Sequence, residues 1–306
     1  MKIVVTGGAG FIGSHIVDGL VEKGHQITVI DDLSSGLQEN INEKAEFSQL
    51  DIANKEAISK LFAENSYDLV VHAAAQKNVR YSVDDPQFDA QVNIIGALNI
   101  LEACRKNGVG KFIFLSTGGA IYGDTEQRPT EESHPANPIS PYGIAKLAVE
   151  KYLHYYQVQY QLPYLVLRLA NVYGPRQDPK GEAGVVAIFF EKILAGEQPV
   201  INGDGQQTRD YVYVGDVVEA VLKGIASSKS GIYNVGRAEE ISVNQLFSQI
   251  VEISEKDIEE KHGPALPGEQ MTSSLSFAKI KNELGWQPTM DLSAGLKLTK
   301  KWFQQK

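Results

Sequence analysis

Cysteine is all but missing from this 306-residue sequence. Cys104 stands alone, which excludes an internal disulfide and a thiolate zinc cluster and suits a reducing compartment such as the cytoplasm. Cys104 itself reads as a core residue. The six histidines, at 15, 25, 72, 134, 154 and 262, show no HExxH or related spacing, so no metal is expected. Long apolar runs are absent as well. The longest, such as GVVAIFF from Gly184 to Phe190, reach about seven residues, against the roughly 18 to 20 that cross a bilayer. The opening MKIVVTGGAG breaks at Thr6 and lacks the layout of a secretory leader, so no membrane partner is expected. Positive charge is in deficit: 29 Lys and Arg against 38 Asp and Glu give a formal charge of −9. That balance opposes non-specific nucleic-acid binding, which is driven by phosphate neutralisation. An acidic chain that binds anions must gather its donors locally.

The remainder is an ordinary globular composition, 42% hydrophobic and 22% charged, in a chain long enough for a large core. Short apolar runs, IVV at 3–5, ITVI at 27–30, LVVHA at 69–73, FIFLS at 112–116 and YLVLRL at 164–169, lack polar alternation, as strands covered by helices on both faces do. Helical patterns lie between them at about 11–23, 54–64, 86–107 and 140–160. This βαβ rhythm predicts an α/β fold with a Rossmann-type, doubly wound parallel sheet over residues 1–165. Beyond about residue 170 the rhythm loosens under Gly and Pro punctuation. Residues 166–306 therefore read as a smaller, mixed C-terminal substrate region, with some segments returning to the sheet.

The first strand runs into TGGAGFIGSH, placing Gly7, Gly10 and Gly13 at a strand-to-helix turn. Glycine there permits a tight turn and close approach of backbone to a pyrophosphate, which the free N–H groups and partial positive charge of a helix N-terminus attract. The second strand ends at Asp31, where a carboxylate can accept from adenosine ribose hydroxyls. It would repel a 2′-phosphate, and Asp32-Leu33-Ser34-Ser35-Gly36 offers no Arg or Lys to receive one, so the cofactor expected is NAD rather than NADP. Asp51-Ile52 reads either as a flank to the adenine or as the N-cap of the 54–64 helix.

In PYGIAKLAVEKY, Tyr142 and Lys146 are four apart on a helix and share a face. Free tyrosine, with a pKa near 10, is a poor base. A cation about 5 Å away at an effective dielectric of about 20 contributes on the order of 3 kcal/mol, roughly two pKa units. With an oxidised nicotinamide ring added, Tyr142 becomes a credible general base toward a substrate hydroxyl.

TGGAGFIG, Asp31, HAAAQ, STGGAIYG, the Tyr142–Lys146 pair, LRLANVYGPRQ and GDGQQTRDYVYVGD together resemble the extended short-chain dehydrogenase/reductase family, in its UDP-glucose 4-epimerase-like branch, over most of the chain. The resemblance implies NAD-dependent inversion at C4 of a UDP-hexose through a 4-keto sugar, with the N-acetylated pair also admitted. Tyr142 would be the base, Lys146 would also hold the nicotinamide ribose, and Thr117 or Ser116 would bond O4. It further implies a cofactor site of Gly7, Gly10, Phe11, Ile12, Gly13, Asp31, Asp32, Asp51, Ile52, Ala73, Ala74, Lys77, Asn93, Tyr142 and Lys146. Asn171 and Arg209 resemble the donors that grip the sugar-nucleotide diphosphate, with Lys77, Thr117, Tyr142, Glu269 and Ser273 completing the substrate set. Arg168 and Arg176 read instead as ion-pair partners.

Departures from the family pattern carry information too. Gly118 stands where several relatives place a Ser, and Gly118-Gly119 replaces the acid pair of 4,6-dehydratases and the Ser-Glu of UDP-glucuronate decarboxylases. A UDP-glucuronate 4-epimerase, with Arg80 near C6, and a non-catalytic NAD-binding module are the rival readings. Leu266-Pro267-Gly268-Glu269 replaces an Arg-x-Gly-Asp nucleotide grip, and Asn202 stands where an aromatic packs on the uracil. Small Ser273 implies room for a 2-acetamido group. The Tyr142 helix carries two apolar stripes, Tyr142, Ala145, Val149, Leu153 and Tyr156 on one side and Ile144, Leu147, Ala148, Tyr155 and Val158 on the other. A helix apolar on two faces is normally buried on both, and the family pairs it across a dimer, so a homodimer is expected; burial under the C-terminal region is the rival account.

Overall fold

The structure, a computed structural model, describes residues 1–180, 184–265 and 270–306. Its first half alternates strand and helix along the chain: β1 (Lys2–Thr6), α1 (Phe11–Glu22), β2 (Gln26–Asp31), β3 (Glu46–Gln49), α2 (Lys55–Glu64) and β4 (Leu69–His72). There follow α3 (Val79–Asp84), α4 (Pro86–Ala90), α5 (Ala97–Asn107), β5 (Lys111–Thr117), α6 (Pro141–Tyr160) and β6 (Tyr164–Leu169). These strands join a seven-stranded sheet, whose order from one edge is β3-β2-β1-β4-β5-β6 and then β11 (Gly231–Val235). Every pairing in it is parallel. The order reverses between β1 and β4, and ligands of open α/β sheets bind in the crevice outside the strand carboxyl ends at that point.

Both faces of β1 are buried, which is why it reads as an unbroken apolar run. Ile3 and Val5 pack with Ile16, Val17 and Leu20 on one side, whereas Val4 packs with Ile100 and Leu101 on the other. The two edges read differently. β3 is Glu-Phe-Ser-Gln with both ends exposed, whereas β11 is buried on both faces over Tyr233, Asn234 and Val235, but Asn234 interrupts its apolar run. The proposed boundary at residue 165 falls inside β6, because the sheet continues through β6 and then takes β11 as its next strand.

The 86–107 helical pattern is one helical run with a defect. Asp85 caps α4 through Phe88 N–H, Pro86 opens it, residues 91–96 form a π-helical segment, and α5 ends on Gly108 in the left-handed region. Such segments concentrate at functional sites because the widened turn redirects side chains. Asn93 lies within it.

The rest builds the C-terminal region from small pairings: β7 (Asn171–Tyr173) with β10 (Tyr211–Tyr213), β8 (Ile201–Asn202) with β13 (His262–Gly263), and β9 (Thr208–Arg209) with β12 (Ile241–Ser242). Around them pack α7 (Val185–Ala195), α8 (Val214–Ala226), α9 (Val243–Ser254), α10 (Ala278–Leu284) and α11 (Leu292–Phe303). Its separate core centres on Phe189, Phe190, Leu246 and Leu296. Asp210, fully buried, fastens this region by accepting from the N–H groups of Arg237, Ala238 and Leu275. Among the described residues, no helix is long and apolar enough to cross a membrane.

Candidate active site

A cleft of about 470 Å³ opens at the sheet's switch point and runs from the glycine turn to Tyr142 and Lys146. Packing explains two of the three glycines. Gly7 has φ +70°, and a Cβ on it would lie 2.6 Å from Ala74 N; one on Gly13 would lie 2.0 Å from Gly7 O. Gly10 differs, since its nearest neighbour would be Gly7 O at 3.2 Å. It is the N-cap of α1, with no side-chain cap and no acid in the first turn. The fold leaves those helix amides facing the cleft, which fits a dinucleotide pyrophosphate.

Asp31 closes the other end. Its Oδ2 accepts from Ala9 N–H at 3.0 Å and Oδ1 from Leu33 N–H at 2.9 Å, so it shapes the glycine turn. Each oxygen keeps a second acceptor site for a ribose hydroxyl. Burial raises its pKa, against those two bonds. Asp32, Ser34, Ser35 and Gly36 line the same end with no cation among them, while Asp32 accepts from Ser34. Asp51 and Ile52 line the wall, and the cap of α2 is Asn54, not Asp51. Phe11, Ile12, Ala73, Ala74 and exposed Lys77 line the cleft as well.

At the Tyr142 end Ser140 caps α6, fixing the turn that carries Tyr142. Lys146, 3% exposed, donates to Leu115 O at 3.0 Å and stands 5.8 Å from the Tyr142 ring centre. Burial pushes its pKa down to about 8, against the pull of Asp89 and Glu150. Tyr142 departs from expectation. Burial and the Asp89 carboxylate push its phenol up rather than down. The pair alone therefore does not prepare a base, because desolvation of the phenolate outweighs an ammonium turned toward Leu115 O.

Ser116 lines the cleft but is not a free donor. Its hydroxyl donates to Glu150 Oε1 at 2.7 Å, which is a correction to its candidacy as the group on O4. Thr117 ends β5, and its Oγ1 accepts from Ala120 N–H. A Cβ on Gly119 would lie 4.0 Å from Thr117 Oγ1 and 3.7 Å from Asn171 Oδ1, so these residues share one neighbourhood. At Gly118 a Cβ would lie 2.2 Å from Leu275 Cδ1, so Leu275 occupies the space a larger residue would need.

Other substrate candidates are less gathered. Arg209 donates to Thr208 O on β9, Asn202 is exposed on β8, and Ser273 is buried. None of the three lines the cleft. Glu269, Leu266 and the rest of their segment lie outside the described residues. Arg168 forms a buried bidentate pair with Glu150, and Arg176 pairs with Asp18 on α1. No group of His, Cys, Asp or Glu among the described residues suits a metal ion.

Sequence reasoning named Asn93 but passed over its partners Asp89 and Gln76, which form a polar cluster with it beside this end. Asp89, 1% exposed, accepts at Oδ1 from Gln76 Nε2 and Asn93 Nδ2, both at 2.9 Å. Asn93 also donates to Gln76 O. The signal was available: Asp89 and Asn93 are four apart in a helical pattern, and Gln76 closes HAAAQ.

The family model of the NAD dependent epimerase/dehydratase family matches residues 3–236. A solved UDP-glucose 4-epimerase from Thermotoga maritima, with UDP-glucose, is 50% identical with a TM-score of 0.98, covering 100% of this chain and 99% of that one. The Thermus thermophilus UDP-glucose 4-epimerase in complex with NAD is 44% identical with a TM-score of 0.95, covering 99% of each chain. The UDP-glucose 4-epimerase of Mycolicibacterium smegmatis is 44% identical over 313 residues, 100% of this chain and 99% of that protein.

Proposed function

The chain belongs to the NAD dependent epimerase/dehydratase family, and on that premise we propose that it interconverts UDP-glucose and UDP-galactose by inverting C4 through a 4-keto sugar. The observation that carries this reading is the end of the cleft. Tyr142 and Lys146 line it together, with Nζ 5.8 Å from the phenol ring centre, and the strand that brings Ser116 to it runs on into Thr117 and Gly118-Gly119, with no carboxylate of the kind a dehydratase needs to eliminate water.

NAD is the cofactor, and when bound it supplies a positively charged ring that takes and returns a hydride. The chain's own residues do the rest. The α1 amides and Lys77 hold its pyrophosphate, Asp31 accepts from its adenosine ribose, and the Lys146 ammonium bonds its nicotinamide ribose. Tyr142 Oη takes the O4 proton, keeps it while the sugar turns, and gives it back. The Thr117 hydroxyl bonds O4 and fixes its direction. Asn171 and Arg209 hold the diphosphate, Arg209 as a bidentate donor. Because the protein alone raises the Tyr142 phenol, its use as a base depends on positive charge brought beside it.

The second apolar stripe of α6 supports a homodimer. Ile144 is 54%, Tyr155 45% and Val158 60% exposed, so the C-terminal region does not cover them. Phe88 and Ile95, on the preceding helical run, are exposed too. A single buried cysteine suits a cytoplasmic enzyme.

The test is purified protein with NAD and UDP-galactose, UDP-N-acetylgalactosamine or UDP-galacturonate, followed by NMR. Expected is the C4 epimer of UDP-galactose, with none from Tyr142→Phe; no epimer from any of the three overturns the reading. A monomeric mass by light scattering at micromolar concentration overturns the dimer.

A further inference from the structure

The first turn of α6 is held from outside the helix. A helix start leaves its early amides without carbonyl partners of their own. In α6 Pro141 has no N–H, and Ser140 Oγ accepts from Gly143 N–H, so the Tyr142 N–H needs a partner elsewhere. It donates to Ser82 Oγ at 3.2 Å, across 60 residues of sequence. Ser82 is fully buried on α3, and its hydroxyl donates in turn to Val79 O. The oxygen thus gives its proton to α3 and offers a lone pair to α6. An alanine could fill the same space but could not accept the Tyr142 amide.

α3 is a firm support. Its N-cap Asn78 accepts from Tyr81 N–H at 2.7 Å. Gln76 Nε2 donates to Asn78 O and to Asp89 Oδ1, both at 2.9 Å, and Asn93 Nδ2 donates to Asp89 Oδ1 and to Gln76 O. The buried cluster beside the cleft therefore ties the start of α3 to α4 and to the π-helical segment. A second contact locks the same turn of α6. A Cβ on Gly143 would lie 2.5 Å from Ala120 O, and Ala120 N–H donates to Thr117 Oγ1. Tyr142 is located against α3 by its own amide and against the Thr117 segment by its neighbour.

We propose that Ser82 is a positioning residue for the epimerisation: by accepting from the Tyr142 amide it fixes Tyr142, and with it the phenol oxygen, relative to Thr117 and to the cleft wall at residues 76–78. The proposal rests on the epimerase reading for its catalytic meaning, although the tether stands without it. Position matters because one oxygen must take a proton from O4 and return it after the sugar has turned. A reacting group displaced by about 1 Å can lose about a hundredfold in rate.

The experiment pairs kinetics with amide exchange. In Ser82→Ala, kcat for UDP-galactose is expected to fall about tenfold, with KM and NAD affinity within about twofold of the parent values. Asp291→Ala, which removes the cap of α11 outside the cleft lining, is the destabilised control and is expected to keep the parent kcat. Exchange of the Tyr142 amide hydrogen is read by NMR in protein labelled with ¹⁵N-tyrosine, its resonance assigned by its loss in Tyr142→Phe. That exchange is expected to be slow in the unsubstituted protein and to quicken at least about tenfold in Ser82→Ala. A parent-level kcat in a folded Ser82→Ala protein overturns the proposal, as does an equal fall of kcat in Asp291→Ala. So does rapid exchange of the Tyr142 amide in the unsubstituted protein, a measurement that holds even if Ser82→Ala does not fold. If exchange quickens in Ser82→Ala but the unsubstituted protein makes no epimer, the tether stands and the epimerase reading fails.

Discussion

Replacing Glu150 by Leu tests the polar network beneath the site more severely than any surface change. The Glu150 and Arg168 side chains are 1% and 5% exposed. The pair is bidentate, at 2.6 Å and 3.0 Å. Glu150 Oε1 also takes the Ser116 hydroxyl, and Arg168 Nη1 donates to Tyr122 Oη, which donates to Asn234 Oδ1. Burial works against the Arg168 charge, yet Glu150 holds its pKa above the ordinary arginine range. Glu150→Leu therefore strands a guanidinium that cannot shed its proton. Breaking such a pair from one side costs about 3–5 kcal/mol, whereas replacing both partners by apolar groups is often near neutral. At about 2 °C per kcal/mol for a chain of this size, the single variant should melt roughly 6–10 °C lower. Calorimetric melting of Glu150→Leu, Arg168→Met and the double variant closes the cycle. The double variant should be more stable than the sum of the singles by at least about 1–2 kcal/mol. Additive costs, or singles within about 1 kcal/mol of the parent protein, refute the coupling.

Lys146 loses its proton as pH rises through about 8, so epimerisation should decline above that value; a rate that stays level well beyond it argues against a charged Lys146. Folding stability should move the other way, because a base whose pKa is depressed in the folded state binds fewer protons there. Lys146 then contributes up to about 3 kcal/mol of rising stability between about 8 and 10.5, a slope that Lys146→Met should lack. The glycines separate as well. Gly7→Ala meets Ala74 N in a left-handed conformation and should cost at least about 1–2 kcal/mol of stability, whereas Gly10→Ala should melt near the parent protein but bind NAD more weakly by calorimetry. Gly118→Ser collides with Leu275 and should lose stability that a paired Leu275→Ala recovers in part; equal melting of the two serine variants removes Leu275 as the cause.

The doubly buried strands, the glycine turn with Asp31, and the Tyr142–Lys146 spacing were legible in the sequence because each depends on residues close along the chain. A strand apolar on both faces, or two side chains one helical turn apart, announces itself through local periodicity. The edge strands β3 and β11 were harder to read, β3 because its ends are exposed and β11 because it reaches the sheet from the far half of the chain with Asn234 breaking its apolar run.

Tertiary structure alone decided the electrostatics. The sequence set Lys146 beside Tyr142, but not that the ammonium turns to Leu115 O, that burial lifts the phenol, or that Asp89 stands against both. It offered Ser116 as a donor, and the fold gave that proton to Glu150. Charge, burial and orphaned acceptors arise from groups brought together across long stretches of chain, such as the 57 residues from Asp89 to Lys146. Their energies depend on distance and on exclusion of water rather than on spacing along the chain.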